Sequence, residues 1–296
     1  MKAWSDGVPI ERTASATDDH RESTLFTLAT PSPFVAAAEG EGGFHAPTIG
    51  EFFPDAIFFA GTPFEFNRLQ LIRVIATIVI LTIFVIAARR AKLVPGRFQN
   101  GVEMVLDFAR VNIVEEIMGT ERARRYVPMI TTIFVTILAF NLTGVVPGLN
   151  LAGTSVAGVA ILLALWVFVA YWAAGIKQHG LWGYIRANLF PPGVPFPIYF
   201  ILAPIELLQL LIIRPASLVI RLTANMVAGH IMLVLCFAAT NFLLLEAAPA
   251  LKAISALTLV GGIAITLFEV FVAGLQAYIF ALLATVYINM SIEEEH

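Results

Sequence analysis

The sequence predicts an all-α integral membrane protein, with five membrane helices and one amphipathic helix on the membrane surface. Three observations carry this: too few charges, long uncharged runs, and basic residues gathered on alternate loops. Of 296 residues, 58% are hydrophobic and 13% charged, and the mean hydropathy is +0.84. Soluble domains average about 25% charged residues. So few charges cannot cover the surface of a water-soluble globule of this size, so most of the outside must face lipid.

Residues 1–66 read as a polar N-terminal tail with ten acidic and three basic residues, and 67–296 as the membrane domain. The tail's composition suits a solvated segment. Residues 1–50 carry no 7–15-residue apolar core behind a basic start, so the tail is expected to be retained rather than cleaved. Leu69–Ala88 is the first span, 20 residues long, enough to cross about 30 Å of hydrocarbon. Arg73 near its outer end reads as a snorkelling residue.

Arg89, Arg90, Lys92 and Arg97 follow at once. Over 97–118 the character changes: Phe98, Val102, Val105, Leu106, Ala109, Ile113 and Ile117 recur at steps of three and four between charged residues. That pattern predicts the amphipathic surface helix. Val127–Val146 and Ser155–Ile176 are uncharged spans joined by a turn around Pro147, Gly148 and Asn150. Segments 89–125 and 177–186 hold ten of the eighteen Lys and Arg residues, and the 148–154 turn holds none. The positive-inside rule therefore places those basic segments in the cytoplasm. Five crossings then put the N-terminus outside and the C-terminus in the cytoplasm, as in a multi-pass protein of the cell inner membrane.

The last third does not fit a simple bundle. Ile198–Glu246 would run about 70 Å as one helix and Leu251–Met290 about 60 Å. Either each folds back, at Pro215 or at Gly261–Gly262, or both lie strongly tilted.

These two segments hold Glu206, Gln209, Arg214, Arg221, Asn225, His230, Glu269 and Gln276. A cation at mid-membrane costs about 2.5–3.5 kcal/mol on insertion scales, so such residues usually face a cavity or a partner. Arg214, next to Pro215, suits either a pathway or a structural role. Arg221 has no easy route to either surface, and its guanidinium cannot lose its proton, so it must lie beside water or an anion. Asn225, at i+4, shares its face. His230, at i+9, lies half a revolution round and about 13.5 Å along, and is not a direct partner of Arg221. Glu269 and Gln276 share a face about 10.5 Å long, with Tyr287 on the same line. Imidazole is suited to pass protons, and a buried carboxyl can join such a relay.

Other classes have little support. No basic run with interleaved aromatics suggests nucleic acid. No GxSxG, HExxH or P-loop pattern appears, and one intramembrane His does not make a bis-His haem, so neither cofactor nor metal is expected. The single cysteine, Cys236, excludes an internal disulfide. A secondary transporter with an intramembrane Arg221/Glu269 site and a structural subunit of a respiratory complex remain as alternatives. No convincing internal repeat supports the transporter.

The run from Arg214-Pro215-Ala216-Ser217-Leu218 through Arg221-Leu222-Thr223-Ala224-Asn225 to Gly229-His230 resembles the signature of F-type ATP synthase subunit a. The stretch Glu269 through Gln276-Ala277-Tyr278 to Val286-Tyr287-Ile288 resembles the family's last helix, and Asn141-Leu142-Thr143-Gly144 and Gly175-Ile176-Lys177-Gln178-His179-Gly180 support the match over 68–292. The resemblance implies a proton-translocating stator subunit, not an enzyme by itself, in a bacterial complex. Its partners would be a ring of c subunits, b-type stalk subunits, the rest of the F1Fo complex, lipid and protons. It implies that the last two helices lie strongly tilted against the ring and that Arg221 is the essential charge facing a ring carboxylate. Asn225, His230, Glu269 and Gln276 would line the outer of two offset half-channels. Glu206, Gln209, Arg214 and Tyr287 are further candidates. Many bacterial relatives carry Glu at position 230 and His at 269; the exchange found here keeps one imidazole and one carboxylate.

Overall fold

The computed structural model describes residues 56–58, 66–146, 151–190, 195–245 and 252–293, all within one compact unit, Ala46–His296. Most of the tail, the turn at 147–150 and the end of the chain after Glu293 lie outside the described residues. Among the described residues, five helical stretches are long and apolar enough to cross a membrane: Arg68–Arg89, Arg97–Leu142, Ala157–Leu189, Pro197–Leu245 and Lys252–Ile292. The chain is therefore a multi-pass, all-α membrane protein. One small exception was not foreseen: strand β1 (Ala56–Phe58) pairs antiparallel with β2 (Phe66–Asn67), just before the first helix.

Helix α1 (Arg68–Arg89) starts where the Asn67 side chain accepts the Gln70 N–H at 3.1 Å, satisfying one of the donors that a helix start leaves free. It buries only Leu69, Ile72 and Ala76 and turns the rest outward. Arg73 differs from its expected snorkelling role. Its Nε donates to the Gly153 carbonyl at 2.8 Å, so it ties α1 to the 151–154 segment.

Helix α2 (Arg97–Ala109) leads through a wide turn (Arg110–Glu115) into α3 (Glu116–Leu142). Its apolar face is laid onto α3 and the last helix: Phe108 meets Phe134 at 5.8 Å and Tyr278 at 5.9 Å, and Ala109, Ile113 and Val114 are buried. The charged residues between 116 and 125 form helix on either side of Gly119. Gly119 is the hinge, with φ 70° and ψ 157°, a conformation nearly confined to glycine. Helix α4 (Ala157–Leu189) likewise runs past the expected end at Ile176 and bends at Gly180, φ 72° and ψ 164°. A Cβ at Gly119 would meet nothing within 4 Å, so only backbone strain opposes a substitution. Gly119→Ala should cost about 1–3 kcal/mol and lower the thermal midpoint in detergent. Gly101→Ala, equally open but in regular helix, should be neutral or slightly stabilising.

The last third resolves the choice left by the sequence. Helix α5 (Phe196–Leu208), a wide turn (Gln209–Ile213) and α6 (Arg214–Leu245) form one continuous helical stretch. The wide turn explains why Pro215 does not reverse it. The Arg214 N–H reaches back to the Gln209 carbonyl, and the widened turn relieves the clash and missing donor that proline brings to a regular helix. Helix α7 (Lys252–Ile292) passes straight through Gly261–Gly262. A Cβ at Gly262 would lie 3.4 Å from the Phe237 ring, so this glycine permits close approach of α6 and is not a turn. At 41 residues α7 is about 60 Å long, twice the hydrocarbon thickness. With apolar side chains exposed along most of its length, it must lie strongly inclined.

The core sits among α3, α4, α6 and α7: Ile130, Ile133 and Ile137 face Leu163, Val167 and Tyr171, with Leu218 and Leu222 of α6. On α7 the buried face carries Ala273, Ala277, Ala281 and Ala284. Lipid tails are as apolar as leucine, so association rests on close packing, which small residues allow.

Candidate functional site

Helices α6 and α7 run antiparallel in uniform register. The Thr240 and Thr258 hydroxyls are bonded at 2.8 Å, Phe237 packs on Gly262, Gly229 abuts Glu269, and the Arg214 guanidinium lies over the Tyr287 ring, 5.6 Å from its centre. Each step along one helix is matched by a step back along the other. The polar line Glu269–Gln276–Tyr287 thus faces α6 over its whole length, and Asn225 falls level with Gln276.

At one end of this seam, His230 and Glu269 are 7% and 8% exposed. Both line one small cavity with Asn141, Gly144, Val145, Ala152 and Met226. Its free volume, 10 Å³ at the centre of a water molecule, is at the threshold for a single water. The position of Glu269 depends on Gly229: a Cβ there would collide with Oε1 of the carboxylate. Among the described residues Glu269 makes no hydrogen bond or ion pair. A buried carboxyl and an imidazole around space for one water can exchange protons.

Asn141 is a member of this group that residue-by-residue reading passed over. Its Nδ2 donates to the Ala273 carbonyl at 3.4 Å, and its Oδ1 accepts the Thr154 hydroxyl. It thereby ties α3 to α7 and to the turn. The available signal was a lone amide in an otherwise apolar span. Farther along, Gln276 is buried and its Nε2 has no hydrogen-bond partner among the described residues, while Asn225 is half-buried.

Arg221 stands apart. It is exposed on the outer face of α6, with Ala224 and Ala228 exposed beside it. It makes no hydrogen bond, ion pair or ring contact among the described residues. Arg214, two turns earlier, takes the opposite environment: it is 6% exposed. The face of Tyr287 replaces an anion there, a contact that strengthens on desolvation. Tyr171, which the sequence gave no reason to select, completes the cluster. Its ring meets Tyr287 edge-on at 6.3 Å, and its hydroxyl donates to the Leu210 carbonyl of the wide turn at 2.7 Å. Arg214 and Tyr287 thereby join α6 to α7, and Tyr171 brings α4 to the same cluster. Glu206 and Gln209 are half-buried, on α5 and at the start of the wide turn; their side chains join neither polar group.

Comparison with known proteins gives the family. The family model described as ATP synthase A chain matches residues 70–289. A protein of Rhodococcus erythropolis named ATP synthase subunit a is 41% identical over 282 residues, covering 95% of this chain and 99% of its own. Proteins of the same name from Pseudarthrobacter chlorophenolicus and Hyphomonas neptunium are 34% and 39% identical, covering 90% and 73% of this chain and 97% and 82% of their own. A buried imidazole and carboxyl on antiparallel α6 and α7, an unpaired outward arginine, and a match across nearly the whole membrane part meet in one conclusion: the chain belongs to the ATP synthase A chain family.

Proposed function

We propose that the chain is the stator half of a proton-driven rotor, forming two offset half-channels against a ring of c subunits. The reading rests above all on Arg221, a permanent cation on an outer helix face with no anion among the described residues to neutralise it. Such a charge at membrane depth needs water or an anion beside it, which a partner subunit would supply, and Ala224 and Ala228 leave that face low enough for another helix to approach.

The steps follow from charge. A proton from the outside passes the His230/Glu269 cavity, with Asn225 and Gln276 along the same seam, and neutralises a ring carboxylate. The neutral carboxyl enters lipid at low cost and the ring turns. When it reaches Arg221, the fixed positive charge favours the ionised form, and the proton leaves on the cytoplasmic side. The same charge repels protons that would otherwise cross directly between the half-channels. Each elementary charge moved gains about 2.3 kcal/mol per 100 mV. The basic segments around 89–125 and 177–186 face the cytoplasm in this arrangement, with the acidic tail outside.

Disulfide formation tests the interface. Ala224→Cys, paired with single cysteines introduced along the outer helix of the ring subunit, should cross-link to the ring under oxidation. Cross-linking only from α1, with none from position 224, would reject the assignment.

A further inference from the structure

The inner side of α1 does not close against its neighbours. Between α1, α2 and α3 runs a groove of 400 Å³, lined by Ile80 and Phe84 of α1, Gly101 and Val105 of α2, and Val135 and Leu138 of α3, with Arg97 also in the lining. A second groove of 410 Å³ shares Ile80, Phe84 and Val135 and continues along the same side. The first spans α3 from Val135 to Leu142, about 10 Å of helix. An extended acyl chain is thin enough to lie along it.

Charge selects the headgroup. Arg97, the first residue of α2, joins Arg89, Arg90 and Lys92 at the end of α1, and all four are exposed. None makes an ion pair among the described residues. The nearest acid in sequence, Glu103, is engaged by the Gln99 amide at 2.7 Å, and Gln99 also holds the backbone of Lys92. Arg97 thus lines the apolar groove, and three more cations lie within eight residues of it in sequence.

We propose that this groove is a binding site for an anionic diacyl phospholipid, with its phosphate on the Arg97 and Lys92 cluster, one acyl chain beside Gly101, and the second chain in the adjoining groove. The bound lipid fills the gap between α1 and the rest of the molecule. Gly101 lines the groove and a Cβ there would meet nothing within 4 Å, so it is the position at which to fill the groove.

The test uses the intact complex containing this chain, reconstituted in nanodiscs of equimolar phosphatidylglycerol and phosphatidylcholine. Retained lipid is counted by native mass spectrometry after detergent extraction. Wild type should retain phosphatidylglycerol in preference to phosphatidylcholine. Arg97→Gln should lower that preference about fivefold, as expected for loss of one cation at about 1 kcal/mol, and Arg97→Gln with Lys92→Gln should lower it further. Gly101→Leu should expel the retained lipid of either type. Equal retention of the two lipids by wild type, or a preference unchanged in Arg97→Gln, would overturn the proposal. Should Gly101→Leu fail to assemble, a photoactivatable group on Gly101→Cys gives a separate reading. Labelling of phosphatidylglycerol supports the site, and labelling of another polypeptide rejects it.

Discussion

In inverted vesicles, Arg221→Ala is expected to abolish ATP-driven proton pumping while leaving the assembled complex in the membrane. Arg221 is exposed and makes no hydrogen bond, ion pair or ring contact among the described residues, so the fold should survive its removal. The loss falls on the partner carboxyl. Two unit charges at 4 Å interact by about 4 kcal/mol at an effective dielectric constant of 20. Without the guanidinium the ionised carboxyl becomes rarer by about tenfold or more, and proton release stalls. With the fixed cation gone, the barrier between the half-channels also falls, so passive proton leak should rise as pumping disappears. Both signals are read from one fluorescence-quench assay. Pumping at the wild-type rate would remove the reading of this residue altogether.

The second large effect is expected at the buried pair. His230→Ala combined with Glu269→Ala should reduce proton flux by about tenfold or more, in line with the contribution of positioned acid–base groups. Each single variant should retain more flux than the double, because each leaves one proton carrier beside the cavity. Gly229→Val separates geometry from chemistry. It keeps both titratable groups but drives a side chain into the space of the Glu269 carboxylate, and it should lower flux without removing either group. If the double variant pumps as well as wild type, His230 and Glu269 are only structural. If Gly229→Val alone leaves flux unchanged, the observed contact does not set the carboxylate's working position.

The contrast between Arg214 and Arg221 marks where sequence reading reached its end. Both are arginines in one apolar run, two helical turns apart, and their spacing puts them on nearly the same face. Distance from the membrane surfaces sets Arg221 apart in the sequence but does not say which of the two is covered, because burial depends on which neighbours reach each level of the helix. Tyr287 of α7 covers Arg214, and nothing among the described residues covers Arg221. Asn141 and Tyr171 escaped selection for a related reason. A neutral polar or aromatic side chain in an apolar run gains significance only when its partner, Ala273 or Leu210, arrives from another helix.

Local chemistry by itself determined the membrane class, the helical spans, the amphipathic face of α2 and the set of polar residues that lipid will not accept. Those follow from hydration cost and from the 3.6-residue period, which are properties of neighbouring residues in the chain. Tertiary packing alone decided the unbroken passage through Pro215 and Gly261–Gly262, the bends at Gly119 and Gly180, the shared cavity of His230, Glu269 and Asn141, and the outward aim of Arg221. Each of these depends on contacts between residues far apart in sequence, whose energies no local pattern encodes.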